Sequence, residues 1–405
     1  MGKKSCILLA CCVLTTVSAP VFSDAKVTIV PPTITFKDNG DPAVDEALTN
    51  LFADGDELQT AIDSIETQAN DELAKFGDQS KLAQGFANAN VYSAQSATLQ
   101  GYQGYKKFAL MGGIMIGGQL PSMDLAVLQE IPNTIAEEPD LYAGIAPSMG
   151  FNLGLNAGNI FGIFNKNLGK KLAPFYFNIK YGSLDYAYAI EDSGDLEMNS
   201  TNFGLGVNYQ WKPHGKSVLF GLFKWRGVNF GSGLNYQNNS VQFESKLAPL
   251  TEPFSQEISG TNPPFDGRDL TATFEVTPTV NLGIEMTTVS IPLEATTSIQ
   301  FLWLLNINLG AGFDLVFGNT DITADVASAL SVDELAVSGL PQVNYVMTPG
   351  TVSLDVGTKD IPPSLARLRL MAGLGAQLGP VKMDIPLYYY FNSGLAFGMS
   401  FGIVW

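Results

Sequence analysis

The sequence predicts an all-β transmembrane barrel of about 14 antiparallel strands, with about 12 the next choice, behind an N-terminal helical and hatch-like region. Three observations carry that expectation. The chain starts with an export leader, most of it then alternates with period two over a glycine- and amide-rich second face, and it closes on a strand ending in an aromatic residue.

The leader comes first. Lys3 and Lys4 form a positive start, residues 6–19 supply an apolar core too short to span a bilayer, and Val21-Phe22-Ser23 offers a cleavage site before Asp24. Residues 1–23 are therefore read as a signal peptide. They hold all three cysteines, Cys6, Cys11 and Cys12, so the exported chain has neither thiol nor disulfide, as suits an oxidising compartment. They also hold two lysines and no acid, so the formal net charge moves from -17 to -19 (-17 - 2). A charge of that sign excludes nucleic acid as an expected partner.

Residues 24–106 form the N-terminal region. Between residues 42 and 107 the character is helical, with Val44, Leu48, Leu51, Phe52, Leu58, Ile62, Ile65, Leu73 and Phe76 mostly three or four apart. Asp41 before Pro42 suits an N-cap and a first-turn proline. The opposite face is acidic. Within this region GFANANVYSAQSATLQGYQGYKK, residues 85–107, is small, polar and tyrosine-bearing. It reads as a plug inside a lumen or as a linker with a short helix, and Tyr102 and Tyr105 are its candidate ligand contacts.

From residue 107 to 405 the period is two. Met149, Phe151, Leu153 and Leu155 alternate with Gly150, Asn152, Gly154 and Asn156, and Phe203, Leu205, Val207, Tyr209 and Trp211 alternate with Gly204, Gly206, Asn208 and Gln210. Leu305, Ile307, Leu309, Ala311, Phe313 and Leu315 face away from Asn306, Asn308, Gly310, Gly312 and Asp314. Such segments reach the roughly 9 to 11 residues of a tilted membrane strand. Solvated surface strands would carry lysine and glutamate where these carry glycine, asparagine and glutamine, so the polar face points to a lumen. No stretch of about 20 uncharged apolar residues exists for a spanning helix, residues 299–317 being interrupted by Gln300, Asn306, Asn308 and Asp314. Lipid offers no partner to an open sheet edge, so the strands must close.

Charges inside the strand pattern are informative, because Arg or Lys facing lipid at midplane costs roughly 2 to 4 kcal/mol. Lys180, Glu285, Arg367, Arg369, Lys382 and Asp384 fall on the polar phase and are expected to point inward. The first five join the tyrosines as lumen or hatch candidates for holding a ligand; ion pairs pinning the hatch to the wall are the competing role. Short turns are expected at residues 212–216, 379–380 and 392–394, and long outward loops at residues 119–142, 247–269 and 319–363.

The closing strand GLAFGMSFGIVW places Leu395, Phe397, Met399, Phe401, Ile403 and Trp405 on one face. Phe397, Phe401, Ile403 and Trp405 resemble the C-terminal signal by which the barrel assembly machinery inserts outer-membrane proteins. A hatch-like region ahead of a barrel of this size is similar in layout to the FadL-like long-chain fatty acid transporter superfamily. Residues 85–122, GFANANVYSAQSATLQGYQGYKKFALMGGIMIGGQLPS, resemble segments of its spirochaete outer-membrane branch. That resemblance implies passive uptake of a hydrophobic or amphipathic small molecule, long-chain fatty acid being the example, across the outer membrane of a double-membraned bacterium. The contrasting reading is a surface protein, adhesin or anchor, whose long loops meet host partners; a general porin is a third.

Catalytic chemistry has little support. His214, the one histidine, lies between Pro213 and Gly215 as a turn residue, no G-x-S-x-G elbow appears, and no D-x-D-x-D-G spacing offers a calcium loop. No enzyme, metal or cofactor is expected.

Overall fold

In a computed structural model of the protein, the described residues are 26–30, 32–37, 39, 45, 80–98, 101, 105–120, 143–190, 194–211, 217–218, 222–246, 250–258, 268–338, 343–391 and 394–405. Residues 1–23, most of the acidic helical stretch, Tyr102 and His214 lie outside them.

The period-two segments assemble into one antiparallel sheet of fourteen strands. Ten of them form a closed circuit: β3 (Phe108–Gln119), β4 (Gly144–Asn156), β5 (Phe175–Ile190), β6 (Gly194–Trp211), β8 (Phe223–Lys246), β10 (Arg268–Phe301), β11 (Leu305–Val337), β14 (Ala366–Leu378), β15 (Val381–Tyr390) and β16 (Gly394–Val404). Each pairs with the next, β10 with β11 and β11 with β14, and β16 returns to β3 through Val404↔Ala109 to Gly394↔Gln119. This chain is an all-β transmembrane barrel. The other four strands lengthen the wall. β1 (Lys26–Val30) pairs with β13 (Gly350–Ile361), β13 with the far half of β11, β9 (Leu250–Ile258) with the start of β10, and β7 (Ser217–Val218) with β8. A separate ribbon joins β2 (Thr33–Phe36) to β12 (Tyr345–Thr348).

Two expectations change here. Residues 247–269 and 319–363, read as loops, carry β9, the far half of β11, β12 and β13, while residues 26–36, placed in the helical region, carry β1 and β2. β10 and β11 run 34 and 33 residues, far more than a bilayer requires. Their threonine, serine and acid content looks loop-like, yet it marks strands that continue paired into water.

The outward face shows where the bilayer stops. Tyr181, Phe203, Tyr236, Val289 and Phe317 stand opposite one another across five strands. The next outward row is Ser183, Thr201, Asn238, Thr287 and Asn319, and the one after it Asp185, Asn199, Ser240, Glu285 and Asp321. Aromatic residues girdle such barrels at the headgroup level, and charge begins beyond it. Glu285 is thus a correction: it is exposed on the outer face, and its neighbour Met286 is fully buried inside. On β10 the inward positions change from Leu282, Ile284 and Met286 to Thr288, Ser290, Thr296, Ser298 and Gln300 without changing phase. Apolar residues there face packed protein, so alternation identified two faces and assigned the far half of this strand the wrong way round.

The two ends differ. At one end lie residues 302–304, 379–380, the β6–β8 and β4–β5 connections and the C-terminus; at the other lie the extended strands and the remaining links, including the short one between Tyr390 and Gly394. Short turns face the periplasm and long connections the outside in bacterial barrels. The β4–β5 connection holds two helices absent from the sequence reading, α2 (Ala157–Phe164) and α3 (Lys166–Leu172). One more, α1 (Ser80–Ser93), precedes the barrel.

Candidate functional site in the barrel lumen

α1 is built from small residues, SKLAQGFANANVYS, and Ala83, Gly85 and residues 87–93 are all buried. A helix satisfies its own backbone, so it can pass through a lumen whose wall cannot pair with it continuously. Small side chains let it approach closely. At Gly117 of β3 a Cβ would stand 2.7 Å from the Ser93 nitrogen, and at Gly144 of β4 one would stand 2.6 Å from the Gly85 oxygen. Either wall position needs glycine for the helix to fit.

Following the chain from Ser80 traces a path down the barrel. Ala83 packs with Ile322 of the long outer extension, and Ala89 with Ala146 and Met286. The Asn90 side-chain amide donates to Thr288 Oγ1 (3.0 Å), the Tyr92 hydroxyl donates to Gln119 Oε1 (2.8 Å), and Gln237 Nε2 donates to Ser93 Oγ (2.7 Å). Past the helix, the Ser96 and Ser148 hydroxyls pair at 3.0 Å, and Lys180 Nζ donates to the Ala94 carbonyl. Gly101, at φ +64°, lies against Ser298 and Asn308. Tyr105 meets Tyr176 edge-on at 4.8 Å, and the Lys106 and Lys107 amides donate to the Trp405 carbonyl (2.9 and 2.7 Å) at the short-turn end. The described parts of residues 80–107 therefore thread the lumen from the end of the extended strands to the end of the short turns.

The charged candidates are placed as follows. Arg369 of β14 is fully buried between Glu294 Oε2 (3.0 Å) and Asp314 Oδ2 (3.1 Å), with the Tyr390 hydroxyl at 3.4 Å and the Tyr388 ring 5.4 Å away. Lys382 pairs with Asp384 at 3.2 Å. Arg367 donates to Ser364 Oγ (2.6 Å) and stands 5.9 Å from the ring of Tyr92, which stacks on Tyr390 at 3.9 Å. Lys180 and Arg367 thus touch the threaded segment, whereas Arg369 and Lys382 are engaged with wall carboxylates. Beside Lys180 is a cavity of about 60 Å³ between Gln95, Thr98 and the wall residues Asn152, Asn178, Asn208 and Glu294. Sequence reading missed Tyr92, Asn90, Gln119 and Gln237 as the residues joining segment to wall; the inward phase of Gln119 and Gln237 was the available signal.

Phe397, Phe401 and Ile403 lie exposed on the outer face of β16, and Trp405, just past its end, is exposed as well. The four side chains form one lipid-facing stripe.

The model of the Lsa36-like family matches residues 39–405. No curated protein matches the chain. Among solved structures, the chain is similar to the translocator domain of autotransporter NalP from Neisseria meningitidis, at 10% identity over 75% of this chain and 90% of that one, with a TM-score of 0.30. It is similar to the CymD monoaromatic hydrocarbon channel at 11% identity, over 80% and 97% of the two chains, TM-score 0.24. The toluene transporter TodX of Pseudomonas putida follows at 7% identity, over 80% and 97%, TM-score 0.24.

Proposed function

The chain belongs to the Lsa36-like family, and we propose that it is an outer-membrane anchor that closes its own lumen and holds an acidic, strand-built surface outside the cell. The observation that carries this reading is the threaded segment. The described parts of residues 80–107 run down the lumen with hydrogen bonds to β3, β4, β5, β8 and β10, and β1, earlier in the chain, joins the strand extension through β13. Above the aromatic row, Asp195, Glu244, Asn281 and Asp325 lie side by side across β6, β8, β10 and β11 along a groove of about 330 Å³. A surface of that sign suits basic partners and repels nucleic acid.

The test is surface accessibility. An epitope inserted between Phe36 and Ser80 is expected to bind antibody on intact cells, while one placed in the β6–β8 turn binds only after permeabilisation. Labelling of the turn alone on intact cells would invert the orientation and end this reading.

A second reading keeps uptake of a hydrophobic or amphipathic molecule, as the FadL-like resemblance implies. It is favoured by the cavity beside Lys180, where a ligand carboxylate would find a cation, and by the noncovalent attachment of the threaded segment, which leaves it free to shift. Delivery of a labelled fatty acid into liposomes by the intact protein, reduced in Lys180→Met, would favour it.

A further inference from the structure

The connections at the short-turn end carry charge of one sign. Residues 106–107, 157–174 and 212–222 hold two, three and two lysines, residues 302–304 and 379–380 hold none, and no aspartate or glutamate occurs in any of them. In a chain of net charge -17 this is a local reversal.

Three of those lysines lie on the α2–α3 hairpin, whose shape is fixed locally. Asn156 caps α2 by accepting from the Asn159 amide (3.0 Å) and donates to the Ala173 carbonyl (2.9 Å), tying the two ends together. Asn165 ends α2 and caps α3, accepting from the Asn167 amide at 2.9 Å. The helices touch through glycine, since a Cβ on Gly169 would stand 2.9 Å from the Gly162 nitrogen. What the hairpin presents outward is apolar: Ile163 is 79% and Phe164 83% exposed, with Phe161 and Leu168 also open. The exposures of Ile163 and Phe164 exceed those of the large apolar residues on the described membrane strands, on an element that water alone should not tolerate.

We propose that this hairpin is an interfacial anchor, lying on the inner leaflet with Ile163 and Phe164 inserted below the headgroups and Lys166, Lys170 and Lys171 binding anionic phospholipid. The hairpin springs from β4 and β5, whose outward residues nearest to it, Leu155 and Phe175, belong to the same face as the lipid-facing wall, so its apolar face continues that face. Interfacial helices combine an apolar face with a basic one, and here α2 supplies the apolar part and α3 the lysines. Lysines there attract anionic headgroups, and the connections at this end add no acid of their own to oppose that attraction.

Hydrogen exchange of the whole protein in nanodiscs tests this. Amides of residues 157–173 should exchange more slowly in discs containing phosphatidylglycerol than in discs of phosphatidylcholine alone, by about fivefold for each lysine engaged. Lys166→Gln with Lys170→Gln and Lys171→Gln should remove the difference, and Ile163→Ser with Phe164→Ser should speed exchange in both lipids. Slow exchange of β3 and β16 reports that each variant is folded. Equal rates in the two lipids with those strands protected would overturn the headgroup assignment. No effect of the serine pair would overturn insertion, and protection appearing only with added peptidoglycan would assign the lysines to a different partner.

Discussion

Arg369 shows what a charge in the wall must do. Its guanidinium is out of water, and such a group is tolerated only when paired and hydrogen-bonded. Glu294 comes from β10, Asp314 from β11 and Tyr390 from β15, so one side chain ties together residues from three neighbouring strands. Removing it would strand two carboxylates that no other described cation approaches as closely. Arg369→Ala is therefore expected to destabilise the barrel by about 3 to 5 kcal/mol, seen as loss of the fast-migrating unboiled form at a lower temperature. A paired change, Arg369→Met with Asp314→Asn, should recover part of that loss; an unchanged transition in the single variant would mean the ion pairs contribute nothing. The sequence identified Arg369 as inward from phase alone, but its partners were hidden because they come from other strands. Glu285 failed for the opposite reason, since its phase is legible and the side on which the packed protein lies is not.

At the scale of the element, the turn between β10 and β11 is unusual. In this three-residue connection the Leu304 amide donates to the Phe301 carbonyl (3.2 Å), and the two residues at the centre of that turn, Leu302 and Trp303, both have positive φ, 47° and 54°, a conformation that Asn-Gly adopts more readily. Left-handed backbone costs an ordinary L-residue roughly 1 to 2 kcal/mol, so something favours these side chains at that end of the barrel. Trp303 is 71% exposed, and tryptophan concentrates at membrane interfaces. Leu302→Asn with Trp303→Gly should accordingly raise stability by about 1 kcal/mol or more in detergent and by less in a bilayer, where the anchoring indole is lost. Thermal transitions in the two environments give the comparison, and equal gains would deny the interfacial role. Strands of this barrel were legible because alternation survives wherever one face meets lipid. The helices α2 and α3 were not: AGNIFGIF is apolar on nearly every side, and only the capping asparagines at 156 and 165 mark where helix begins. β9, β12 and β13 were hidden by composition, since threonine, serine and acid serve a solvated strand as well as a loop.

Across the whole molecule the governing feature is a closed wall with the chain's own residues inside it. The inward positions Asn152, Gln210, Asn229, Gln237, Asn306 and Asn308 are polar and buried, which costs free energy unless each finds a partner, and the threaded segment supplies part of that partnership. Its attachments are individually modest, about 0.5 to 1.5 kcal/mol for a typical hydrogen bond, yet they are spread from Asn90, toward the end of the extended strands, to Lys107 at the short-turn end. Losing one should hardly open the barrel. Removing the segment should, because water would replace it against a wall of amides and hydroxyls that needs no other covering. A variant lacking residues 24–105 and keeping residues 1–23 is therefore expected to insert and to conduct ions steadily in planar bilayers, while the intact protein conducts little. Asn90→Ala, which removes a single set of contacts, should stay close to the intact protein. Equal conductance of the shortened and intact proteins, with both showing the heat-modifiable form, would mean that the segment does not seal the lumen. The anchor reading would then lose its main support, because a lumen open without any displacement belongs to a porin. If instead the intact protein is silent and the shortened one conducts, addition of the purified segment as a peptide should lower the current again, since the sealing contacts are noncovalent and polar.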